Sequence, residues 1–237
     1  MKTSRSRPED AGQFIKDPLG HFLAMPWAAA LLLDPATTAI VVPDRKPLPS
    51  GARSLVNCIL NSATTVRACV SYWQSPQLLA QRSAESQLSG ATEPASAGGR
   101  HGNHVSSRQA LLQESGPKIK EDTKTQPCLL FNALLDIGEQ MSGFEGTLHG
   151  GATALFIDEA MGSVAGGKSP FAAVTVQINT NFRKTINLPQ VLLVRARVVK
   201  KEGRKIYVRA SIENKDGNIM AESDGLFIET DDGRTKL

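Results

Sequence analysis

The segment GTLHGGATALFIDEAMG, residues 146–162, holds one histidine, two adjacent glycines and, after a mostly apolar run, two adjacent acids. The run ATALFIDEAMGSVA is apolar on nearly all sides, which is the pattern of a buried helix. An acid in such a helix is costly unless it is paired or used. Helix N-termini offer free backbone N–H groups and the positive end of a dipole. Glycines let a substrate carbonyl approach that backbone closely. Gly150 and Gly151 are thus placed to bind an oxyanion, with the Gly150 N–H as the first donor. Asp158 lies seven residues after Gly151, two helical turns on and on the same face. It is placed to act as general base on water or as direct nucleophile. Glu159 is rotated about 100° away and faces elsewhere. The competing structural reading is a tight glycine turn into the helix and a paired carboxylate.

The elements around this segment are legible from periodicity. CLLFNALLDIG, 128–138, reads as a strand ending at Gly138. EQMSGFEGTLHGG reads as a glycine-bearing loop. AVTVQINTNF then alternates with period two: Val174, Val176, Ile178 and Phe182 on one face, Thr175, Gln177, Asn179 and Asn181 on the other. Residues 192–200 and 204–213 alternate again, with hairpin turns at Glu202-Gly203 and at 215–218. Residues 219–230 close the set. The order is strand, loop, long buried helix and about four antiparallel strands. An α+β domain results, an antiparallel sheet wrapped round one central helix.

Composition sets wider bounds. The chain has 237 residues, a net charge of +4 and a sequence pI near 9.0. This mild basicity fits an anionic ligand better than a cationic one. Three cysteines without CxxC spacing, Cys58, Cys69 and Cys128, argue against a disulfide framework or a cysteine-rich metal site and for a reducing compartment. The apolar stretch at 22–35 is broken by Pro26 and is too short to span a bilayer. A cytoplasmic protein is expected, with a mitochondrial presequence as the alternative from Lys2, Arg5 and Arg7. No metal and no cofactor is expected. His101 and His104 read as loop histidines without further ligands. Residues 84–125 are poor in apolar side chains and read as a flexible insertion. Residues 1–83 read as an N-terminal helical extension, with 21–33 and 54–80 as helices and Val66 to Trp73 as a strand alternative. Residues 36–51 read as an extended connection, 126–231 as the main domain and 232–237 as a tail.

HGG at 149–151 with Asp158 nine residues after His149, VTVQINTNFRKTINL at 174–188 and VKKEGRKIYV at 199–208 together resemble the hot-dog-fold acyl-thioester hydrolases. The similarity is to the branch of phenylacetyl-CoA thioesterase and thioesterase superfamily members 2 and 4. HFLAMPWAAALLLDP and SLVNCILNSATTVRACVSYWQSP are similar to the leader of fungal proteins of that branch. The resemblance implies hydrolysis of an acyl-CoA or an acyl carrier protein thioester, with a role in secondary metabolism in view. His149 is a further catalytic candidate that could serve as general base; the resemblance implies instead that it positions loop backbone, and that Thr175 holds water near Asp158. It implies a homodimer or homotetramer with sites shared between chains. Many relatives carry an asparagine six or seven residues before the HGG histidine; here those positions are Gly143 and Ser142, and Ser142 is the candidate substitute. Gly151 and Asn179 are further substrate-binding candidates. Lys184, Lys200, Lys201, Arg204 and Lys205 read as a solvated turn or as a site for CoA phosphates; Lys200, Lys201 and Arg204 are the principal candidates. Nucleic acid is not expected, because aromatics for base stacking are lacking. The rivals are a hot-dog dehydratase and a non-catalytic acyl-binding subunit.

Overall fold

The computed structural model describes residues 15–46, 55–81, 129–167 and 173–230. The expected insertion at 84–125, His101, His104, the first fourteen residues and the tail lie outside these.

The central element is α3 (Gly150–Ala165); the short helices α1 (Pro18–Leu23) and α2 (Pro26–Leu32) lie near the start of the described chain. The strands are β1 (Thr37–Val41), β2 (Val66–Gln74), β3 (Leu130–Ile137), β4 (Ser142–Phe144), β5 (Thr147–Leu148), β6 (Ala173–Phe182), β7 (Gln190–Glu202), β8 (Lys205–Glu213) and β9 (Ile219–Glu229). Seven of them form one antiparallel sheet in the order β1-β2-β3-β7-β8-β9-β6. β4 and β5 form a separate short ribbon.

α3 buries Phe156, Ile157, Ala160, Met161 and Val164 against Leu135, Val194, Val208, Ala210, Ile212 and Phe227 of the sheet. This is the hot-dog arrangement, a sheet curled round one helix. The expected hairpins are present, and both turns need a left-handed residue. Gly203 has φ +57° and Gly217 φ +74°, which a residue with a Cβ adopts only with strain.

The N-terminal region is less helical than its residue spacing implies. Leu55, Cys58 and Ile59 recur at helical intervals, but only a single wide turn forms at Leu55–Ile59. Val66–Gln74 is a strand, buried at every second residue and paired along its length with β3. Its β-branched and aromatic residues favour that half-buried pleated surface, and the tertiary pairing overrides the local spacing. The expected connection at 36–51 begins as β1, the edge of the sheet. α1 and α2 pack on the outer face of the same sheet, where Phe22, Ala28, Leu31 and Leu32 meet Ala68, Val70, Tyr72, Leu134 and Leu193. Asp136, 1% exposed, anchors them. It accepts from Arg67 at 2.6 and 3.0 Å and bonds His21 of α1 at 2.8 Å. A carboxylate so buried is tolerable because it is paired and hydrogen-bonded.

Candidate active site

The loop from Gly138 to His149 sets the start of α3. His149 is the N-cap residue, and its Nδ1 accepts from the Gly151 N–H at 2.9 Å. Its own backbone N–H donates to the Met141 carbonyl at 2.9 Å. His149 therefore caps the helix and fixes the loop. The Gly151 N–H is committed to it. The Gly150 N–H is first in the helix, where no intrahelical acceptor exists. A Cβ at Gly150 would meet only the Phe182 ring, at 3.7 Å. Among the described residues nothing demands glycine there, so the open space above Gly150 is available to something that approaches the backbone.

Gly143 is the residue that sequence reading undervalued. A Cβ there would stand 2.8 Å from Cδ2 and 3.1 Å from Cα of His149. The contact involves backbone, so relief requires moving the cap. The only sequence signal is one more glycine in a glycine-rich loop. Gly143→Ala is expected to lower stability by about 1–2 kcal/mol through the lost cap, measured by urea denaturation, with a shift of the His149 ring resonances. Unchanged stability and unchanged resonances would show that the loop adapts freely. The neighbouring Ser142 is exposed and pairs with Leu148 across the ribbon.

Asp158 is half-buried on α3, and the Thr175 hydroxyl donates to its Oδ1 at 2.8 Å. Thr175 pairs with Phe227, a core residue, so its side chain faces the helix. The alternation read from sequence put Thr175 and Asn179 on one face. A register shift between Thr175 and Gln177 separates them. One inserted residue in a strand flips the side-chain alternation beyond it. Ile178 then packs toward the core, and Asn179 faces outward opposite Asp224, its Oδ1 accepting from Gln177 at 3.2 Å. Val176, expected with the apolar face, is 50% exposed at the shift, and Phe182 is 59% exposed at the far end of β6.

The basic residues divide between the two ends of the sheet. Lys200 pairs with Glu202 at 2.5 Å, Lys201 with Glu229 at 2.8 Å, and Arg204 donates to the Glu229 carbonyl at 2.9 Å. Lys201 lies in one transverse row with Ile206, Phe227 and Thr175. Three strand spacings, about 14 Å, separate it from Thr175. The Lys200 pairing holds the Glu202 carboxyl below its ordinary range. Lys184 stands at the opposite end, donating to Asn218 at 2.9 Å. There it borders a cavity of about 410 Å³ with Gly150, Phe182, Arg183 and the exposed Phe144. Arg183 is paired with Glu222.

Two groups capable of chemistry thus sit at different points of α3: a free helix N-terminus at Gly150 and a hydroxyl-supported carboxylate at Asp158. Eight residues separate them, about 12 Å along the axis. Among the described residues no cluster of His, Cys, Asp and Glu could hold a metal ion, and no helix is long and apolar enough to cross a membrane.

Comparison with known proteins places this region in context. Residues 145–221 match the model of the thioesterase superfamily. The chain is 37% identical over 95 residues to acyl-coenzyme A thioesterase THEM4 of Bos taurus, covering 40% of this chain and 38% of that one. It is 35% identical over 100 residues to the THEM4 of Mus musculus, covering 42% and 43%. The chain thus spans about two fifths of the length of these curated relatives. The crystal structure of zebra fish thioesterase superfamily member 2 aligns at 23% identity and TM-score 0.39 over 43% of this chain and 75% of that one. His149, Gly150, Asp158 and Thr175 all fall inside the segment that matches the thioesterase superfamily.

Proposed function

We propose that the protein hydrolyses acyl thioesters, releasing a carboxylic acid and a thiol. The observation that carries this reading is the Thr175–Asp158 hydrogen bond at 2.8 Å, in a superfamily domain whose helix N-terminus is free to bind an oxyanion. The relatives' name, acyl-coenzyme A thioesterase, supports acyl-CoA as the substrate. An acyl group on a carrier protein of secondary metabolism is the alternative donor. A reducing, cytoplasmic setting is part of the same proposal.

In the reaction, Asp158 takes a proton from water as the water oxygen attacks the thioester carbonyl carbon. Thr175 donates to Oδ1, so its oxygen lone pairs are free to accept from that water and aim it. The Gly150 N–H, backed by the helix dipole, receives the charge that develops on the carbonyl oxygen. The C–S bond then breaks, and the thiolate leaves and takes up a proton. In the nucleophilic variant Asp158 attacks first, and water opens the resulting mixed anhydride.

Attack requires water within about 3–3.5 Å of the carbonyl carbon. Asp158 and Gly150 of one chain, about 12 Å apart along α3, do not meet around a single carbonyl. Two copies related by a twofold axis and set antiparallel along β6 bring Asp158 of one to Gly150 of the other. β6 is a sheet edge with unpaired backbone groups and exposed Val176 and Phe182, which suits it to such pairing. A homodimer, or a tetramer of such dimers, follows. The overall reading is tested with acyl-CoA substrates and a thiol-detecting reagent. Release of CoA above the background rate is expected; tight binding of acyl-CoA with no release would make the protein an acyl-binding subunit instead.

A further inference from the structure

A second cavity, about 440 Å³, lies between α3 and the inner faces of β2 and β3. Its size falls in the roughly 300–1,000 Å³ range of small-molecule sites. Leu155, Phe156, Val66, Phe131 and Leu135 make most of its wall apolar. Part of the wall comes from chain outside the superfamily match, the segments around Arg45 and Leu60. Gly151, Leu155, Glu159 and Ser163 recur every four residues on one stripe of α3. The last three line the cavity, and Leu155 is about 6 Å along the axis from Gly151. The wall of this cavity thus begins about one helical turn from the head of α3, within reach of a chain attached to a carbonyl held there.

Arg45 is the unusual group there. Its Nη2 donates to the Leu60 and Val66 carbonyls at 2.8 Å each. Its Nη1 is buried and has no hydrogen-bond partner among the described residues. Burial pushes the guanidinium below the usual arginine range, with Cys69 opposing the effect. Arginine stays charged in proteins, so the unmet N–H donors persist. An oxygen supplied by a ligand would satisfy them. The site's charge selects the kind of oxygen: Asp44 and Glu159 also line the cavity and oppose a further carboxylate. The register gives its position. Val66 pairs with Ile137, and Ile137 with Gln190 at the start of β7. Thr175, beside Asp158, shares its row with Lys201 near the other end of β7. Arg45 therefore stands at the end of the sheet opposite Thr175, and α3 begins at this same end, where Gly138 donates to the Thr65 carbonyl and His149 to the Met141 carbonyl; the proposed oxyanion donor, Gly150, lies with it.

We propose that this cavity receives the acyl chain and that Arg45 selects chains bearing a neutral hydroxyl or keto oxygen near the thioester over plain hydrocarbon chains. The selection rests on the thioesterase reading; the cavity's preference for such a chain does not. The test compares dodecanoyl-CoA, β-hydroxydodecanoyl-CoA and ω-hydroxydodecanoyl-CoA. The β-hydroxy substrate is expected to exceed the other two at least about tenfold in kcat/KM, the worth of one hydrogen bond to a charged group. Arg45→Met should abolish that advantage. Because Arg45 also holds two carbonyls, wild-type affinities for the matching free acids are measured by calorimetry as well, and the same order is expected. Equal affinities, a preference for the ω-hydroxy chain, or an advantage that survives in a folded Arg45→Met variant would overturn the proposal. If no thioester is turned over yet the free acids bind in the expected order, the thioesterase reading fails and the oxygen-selective cavity stands.

Discussion

Replacing Asp158 by asparagine is expected to lower the rate of thioester hydrolysis at least about 10²-fold, the usual consequence of removing a positioned acid–base group. Asparagine keeps the size of the side chain, and its Oδ1 still accepts from the Thr175 hydroxyl that now donates at 2.8 Å. The fold is thereby preserved, and what disappears is the ability to take a proton or to form an anhydride. The loss belongs to kcat rather than to KM, because the carboxylate acts on the water and not on the resting substrate. Two neighbours serve as controls. Glu159→Gln, one residue on and facing the cavity wall, should lose far less. Thr175→Val removes one hydrogen bond from the carboxylate and should cost about tenfold. A folded Asp158→Asn protein with near wild-type turnover would remove the carboxylate from the mechanism and leave its bond to Thr175 as a purely structural contact.

What the sequence made legible follows from how local each feature is. The helix at 150–165 is announced by its own apolar run and by the glycines ahead of it. The β7–β8 and β8–β9 hairpins are announced by turns whose glycines take positive φ. Asp158 and Thr175 were paired by resemblance alone, since their seventeen-residue separation carries no periodic signal. The non-local features were opaque. The register shift at Val176 depends on how β6 meets β9, and it moved Asn179 to the outer face. The helical spacing of residues 55–59 gave no hint that β2, just beyond, adds to the sheet through β3. Lys200, Lys201 and Arg204 look alike as cations, but only the fold shows that Glu202 and Glu229 engage them. Arg45 acquires its interest solely because distant carbonyls and α3 enclose it.

Mixing two inactive variants is expected to restore activity. The first is Asp158→Asn. The second is Gly150→Pro, which removes the one N–H proposed to hold the oxyanion and should cost about 10²- to 10³-fold by itself. Proline suits this position: it is the first residue of α3, where its fixed φ matches the helix and no intrahelical bond is lost. The preceding His149, at φ −62° and ψ +133°, already has the extended backbone that a following proline requires. An added Cβ meets only the Phe182 ring at 3.7 Å. The lesion is thus confined to the missing donor. In a twofold pair each site takes its carboxylate from one chain and its N–H from the other. A heterodimer then carries one intact site and one doubly damaged site. Random exchange of equal amounts makes half the dimers heterodimers, so about a quarter of wild-type activity should return. Recovery on that scale requires the acid and the oxyanion donor to come from different chains. No recovery, in a sample shown by labelled subunits to have exchanged, would place both groups in one chain and require α3 to bend the 12 Å separation shut (about eight residues of rise). Sedimentation as a monomer at micromolar concentration would remove the shared site altogether.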